Sequence, residues 1–149
     1  MARPKLPSVR GAAEAVQCQA AALYLLDDTT SQLKLRAAWR LPAKCYSAPA
    51  RALRGAVADL EVLAGHAVVL EDTSLFEHWN LPTDYPCQSA ICVPVSSPTT
   101  PLGTLWIFGN EKRDSSPRET NLVEIVAGRV ACELEREVLI SECQSAKRR

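Results

Sequence analysis

The sequence predicts an α+β fold: a central antiparallel sheet of about five to six strands with N- and C-terminal helices packed on one face. Three observations point there. Residues 20–26 and 32–39 read as two strands around the polar turn Asp27-Asp28-Thr29-Thr30-Ser31. Residues 89–95 and 102–108 read as a second pair around Ser96-Ser97-Pro98-Thr99-Thr100-Pro101. A long amphipathic helix starts at Ser116.

The elements follow in order. Pro4 and Pro7 mark a tail over 1–8, and Val9 to Gln19 carries Ala12, Ala13 and Val16 at helical spacing. Ala20 to Leu26 is apolar on both faces, as a central strand is. From 32 to 39 the pattern alternates. Leu33, Leu35, Ala37 and Trp39 take one face, and Gln32, Lys34, Arg36 and Arg40 the other. Leu41 to Arg54, with Pro42 and Pro49, reads as loop. Ala56 to Ala64 repeats Val57, Leu60 and Ala64 at helical spacing, and Gly65 caps the helix. Ala67 to Leu70 is a short strand. Glu71 to Ser89 is irregular, with a helical turn or two at Leu75 to Trp79 capped by Asp72 or Thr73 and stopped by Pro82 and Pro86. Ser116-Pro117-Arg118-Glu119 is a capping box with proline at the first helical position. Leu122, Ile125, Val126, Val130, Leu134 and Val138 then recur along a stripe that passes Ile140 without a breaker. The expected organisation is a tail at 1–8, one domain at 9–140, and a tail or linker at 141–149.

Composition narrows the function. Apolar residues make up 47% of the 149, enough for a packed core. Lys plus Arg and Asp plus Glu stand at 17 each, so no global field favours nucleic acid or an acidic membrane surface. No apolar run is long enough to span a bilayer, and Met1 to Arg10 is not a secretory signal, which makes a cytoplasmic location the expectation. Cys18, Cys45, Cys87, Cys92, Cys132 and Cys143 include no C-x-x-C pair and read as free thiols.

Ser89-Ala90-Ile91-Cys92-Val93-Pro94-Val95 followed by Leu102-Gly103-Thr104-Leu105-Trp106-Ile107-Phe108 resembles the C-terminal half of a GAF domain. In that family a strand ends in Val-Pro-aliphatic and Gly-x-Leu opens the next. Ala64-Gly65-His66-Ala67-Val68-Val69-Leu70-Glu71-Asp72 resembles the family's helix-Gly-strand-Asp passage, and the helix start at Ser116-Pro117 and Leu122 to Ala127 also fit. The resemblance covers about residues 10 to 140. It implies a GAF-like, PAS-related sheet with helices on one face and a loop-roofed pocket on the other. It also implies a non-catalytic sensory or regulatory role in signal transduction.

Within that frame a ligand is expected between the sheet and 71–89, touching Phe76, Trp79, Tyr85 or Cys87. No cofactor is specified. The cyclic-nucleotide branch's Asn-Lys…Phe…Asp-Glu signature is absent, Asn110-Glu111-Lys112 being no substitute, as is the Cys-His pair of bilin-binding domains. His66 and His78 have Asp72, Asp84 and Cys87 nearby in sequence, but no ligand spacing forms, and they read as structural or surface residues. Cys87 and Cys92 raise the alternative of a thiol-dependent free methionine sulfoxide reductase. Their separation does not match that branch, and Cys92 alternates within an apolar strand. The terminal helix suggests a homodimer, with Leu134 and Val138 at the contact and an effector outside this chain. A ligand-free dimerisation module is the remaining alternative.

Overall fold

The computed structural model describes residues 7–42, 44–47, 49–72, 87–112 and 116–147. Its elements are α1 (Pro7–Ala15), β1 (Ala20–Leu26), β2 (Gln32–Trp39), α2 (Lys44–Ser47), β3 (Arg51–Ala52), α3 (Val57–Leu63), β4 (Val68–Leu70), β5 (Ser89–Ser96), β6 (Pro101–Gly109) and α4 (Pro117–Lys147). The strands form one six-stranded sheet in the order β3-β2-β1-β6-β5-β4. Every neighbouring pair is antiparallel. The α+β expectation holds, with β1 central. The strand the sequence reading left inside a loop is β3, too short to show a period of its own.

Each face of the sheet has its own core. On one face α1 and α4 cover Ala21, Leu23, Ile91, Val93, Leu105 and Ile107. On the other, α3 packs over Ala20, Ala22, Tyr24, Cys92, Trp106 and Phe108. β1, β5 and β6 therefore bury both sides, which accounts for their unbroken apolar runs. Gly103 sits where β6 crosses β1 so closely that a Cβ would lie 1.9 Å from the Tyr24 carbonyl oxygen. That approach explains the glycine opening the Gly-x-Leu strand.

The alternation in β2 is interrupted. Leu23 faces Ala37 but Tyr24 faces Leu35, leaving Arg36 as the extra residue of a β-bulge. Leu33 and Leu35 consequently join the α3 face, whereas Ala37 and Trp39 join the α1/α4 face. The expectation that all four share a face fails for this reason: one added residue inverts a period of two. The preceding turn is held by Asp27, whose carboxylate accepts the Ser31 and Gln32 N–H groups at 2.9 and 3.2 Å. Those bonds, that of Ser31 first, hold its carboxyl below the usual range.

Helix ends follow local chemistry. α1 stops at Ala15, before the expected Gln19, because Gln17 turns to φ 57° and the Cys18 N–H closes on the Ala13 carbonyl at 2.8 Å. Gly65, at φ 106°, ends α3 in the same way, with the His66 N–H on the Glu61 carbonyl. At α4 the capping box is present: the Glu119 N–H donates to Ser116 Oγ at 3.3 Å, and the Ser116 N–H to Glu119 Oε1 at 3.4 Å. α4 continues past Ile140 to Lys147, so the backbone of 141–147 is helical.

Candidate functional site

The inward face of α3 is not the Val57–Leu60 side. Ala58, Asp59 and Val62 face inward, while Val57 and Leu60 are 37% and 44% exposed. Asp59 therefore carries a carboxylate into the α3-face core at 0% exposure. Three donors compensate it. Thr104 and Trp106 on β6 give their hydroxyl and indole N–H to Oδ1, each at 2.9 Å. Arg51 on β3 binds Oδ2 at 2.8 Å. A buried charge persists only when paired and hydrogen-bonded, and this one has both.

Arg51 also lies over the Tyr24 ring, 5.2 Å from its centroid. Burial is the main cause that pushes the Tyr24 phenol up to about 12, against the pull of Arg51. Cys92 beside this cluster is fully buried, and desolvation, then the Asp59 charge, lifts its thiol well above the ordinary range. Trp106 and Phe108 stack below α3 with centroids 5.9 Å apart and planes 10° apart. The face thus offers neutral phenol and thiol groups and an aspartate already saturated by donors.

The residues singled out in the sequence fall partly among the described residues and partly outside them. Cys87 is half-buried, packs against the α3-face core, and has its thiol raised by burial. This is opposite to the lowered pKa that reactivity requires. Phe76, Trp79, Tyr85 and His78 lie outside the described residues, as do Asp84 and the side chain of Val138. His66 is exposed at the end of α3, 3.7 Å from Glu61. Among the described residues no three His, Cys, Asp or Glu side chains assemble to hold a metal. Leu134 is 7% exposed and packs in its own chain's α1/α4-face core. The sequence places this residue at a contact between two copies; within one copy its side chain is covered by α1 and the sheet. Among the described side chains of that helix, Leu122, Ile125 and Ile140 are the exposed large apolar ones.

Asp59 is the residue sequence reasoning missed. Two of its three donors lie 45 and 47 positions away on β6, too remote for any local pattern, and Arg51, eight positions away, carries no spacing signal of its own. The available signal was the phase of Ala58 and Val62.

A family model for the GAF domain matches residues 8–136. The chain belongs to the GAF domain family. Solved structures with the same fold include the GAF domain from an Acinetobacter phosphoenolpyruvate-protein phosphotransferase, at 20% identity and TM-score 0.77, covering 89% of this chain and 80% of that one. The corresponding domain from Coxiella burnetii has 18% identity and TM-score 0.78, with 90% and 82% covered. The free methionine-R-sulfoxide reductase from Neisseria meningitidis, in complex with its substrate, shares the fold at 17% identity and TM-score 0.70, with 87% and 74% covered. No curated protein matches the sequence. Burial raises the thiols of Cys87 and Cys92 above the ordinary range, and the family match makes the chain a GAF-type sensory or regulatory domain. Among the described residues no helix is long and apolar enough to cross a membrane.

Proposed function

We propose that this domain is a cytoplasmic sensor in which a small molecule seats against the α3 face and α4 carries the change to an effector outside this chain. The observation that carries the reading is the buried Asp59–Arg51–Trp106 cluster, a fixed polar floor on the face that the long helices leave to α3. Asp72 and Cys87 bracket the segment containing Phe76, Trp79 and Tyr85, and Cys87 packs on that same face. A ligand between sheet and segment would meet aromatic area and a few fixed polar groups, the usual composition of such sites. An absorption spectrum of freshly purified protein, with mass spectrometry of what denaturation releases, tests this. A stoichiometric small molecule is expected; none in any preparation would leave a ligand-free dimerisation module.

Homodimerisation is part of the proposal. Leu122, Ile125, Cys132 and Ile140 recur at spacings of three, four or their sums, opposite the stripe of Val123, Ala127, Val130 and Leu134 that faces the core. Ile125 is 59% exposed and Ile140 51%. A second α4 would cover them.

A further inference from the structure

The bulge in β2 puts Arg36 on the same face as its neighbour Ala37, the α1/α4 face, where strict alternation would set the two on opposite faces. Arg36 reaches Glu137 of α4, its Nη2 lying 3.0 and 3.3 Å from the two carboxylate oxygens. Its side chain is 21% exposed, and its buried Nη1 has no hydrogen-bond partner. α4 packs chiefly on α1 and β5. β5 stands three strands from β2, roughly 14 Å at ordinary strand spacing. The ion pair thus joins the second half of α4 to a strand outside its main seat.

The opposite face of the same bulge carries the polar cluster. Tyr24 pairs with Leu35, next to the extra residue, and Arg51 of β3 pairs with Leu33. Arg51 lies over Tyr24 and binds Asp59. A bulge is a place where register can shift by one residue, and such a shift turns a side chain to the other face. The Asp27 turn fixes one end of β2, so displacement is taken up at the bulge.

We propose that the bulge at Arg36 couples the two faces of the sheet, so that reseating the Asp59–Arg51–Tyr24 cluster alters the hold of Arg36 on Glu137. The inference rests on reading the α3 face as input and α4 as output, and it names the tie between them. Contiguity alone is not coupling, so the test is a cycle. Thr104→Val removes one donor from Asp59 on the input face. Amide hydrogen exchange of 133–140 is measured for Thr104→Val in the wild-type, Arg36→Gln and Glu137→Gln backgrounds, with no ligand added. In the wild-type background Thr104→Val should speed exchange about threefold or more, and in both others the increase should vanish. An equal increase in all three, or none in the wild-type background while α3 amides respond, overturns the coupling. Neither result bears on whether a small molecule is released on denaturation, so the ligand reading stands or falls separately. Should Arg36→Gln fail to fold, Glu137→Gln alone, at a side chain 49% exposed, decides.

Discussion

Asp59 concentrates the largest energies at a single residue. Removing one partner of a buried charge pair leaves the other uncompensated, at a cost of about 3–5 kcal/mol. Asp59→Ala should therefore lower stability by about that much in denaturant unfolding, whereas Glu61→Ala on the exposed side of α3 should move it by less than about 0.5 kcal/mol. Tyr24 makes a pH prediction. Its phenol is raised from the ordinary 10.0 to about 12, so its contribution to stability is complete below pH 10 and is lost as pH rises from 10 toward 12. Phenolate absorbance should show a component, lost in Tyr24→Phe, that titrates late or together with unfolding. Ordinary titration of the component that Tyr24→Phe removes would contradict the placement of Tyr24. Thiol alkylation should likewise reach exposed Cys132 well before buried Cys92, read by mass spectrometry of intact folded protein. The inertness of Cys92 was legible in its alternation with Ile91 and Val93. Asp59 was not, because nothing local distinguishes a buried aspartate from a solvated one when two of its three partners lie on a strand more than forty residues away.

At the scale of elements, boundaries set by chemistry were readable and those set by tertiary geometry were not. The Ser116 capping box and the Gly65 stop use side-chain donors and backbone freedom that are visible in the sequence. Ser116→Ala should cost about 0.5–2 kcal/mol of thermal stability through loss of the cap. The phase of α3 and the faces of β2 depended on contacts that no window contains. Val57 and Leu60 satisfy helical spacing as well as Ala58 and Val62 do, and only the Thr104, Trp106 and Arg51 donors settle which pair turns inward. The Arg36 bulge left no mark on an alternating pattern. Gly103 and Gly128 give a contrast within one residue type. Gly103→Ala would drive a Cβ into the Tyr24 carbonyl and should prevent a native melt. Gly128→Ala meets nothing within 4 Å in the middle of α4 and should raise stability by about 0.5–1 kcal/mol.

For the molecule as a whole, the two faces of the sheet have separate tasks. One is filled by α1 and α4, and α4 at 31 residues extends roughly 46 Å, longer than any strand beneath it. Ile125→Glu should leave the domain folded and shift light scattering from dimer toward monomer. Leu134→Glu should unfold it, because that side chain belongs to the core of its own chain. The other face holds the Asp59 cluster, which the sensor reading makes the ligand's floor. Trp106 reports directly on that floor, since its indole N–H is bonded to the buried Asp59 carboxylate. The decisive measurement is the Trp106 indole N–H resonance in freshly purified protein, compared with protein stripped by denaturation, dialysis and refolding. The sensor account predicts that the Trp106 signal moves on stripping while that of Trp39, on the α1/α4 face, stays in place. An unchanged Trp106 signal, with no small molecule in the dialysate, would contradict it.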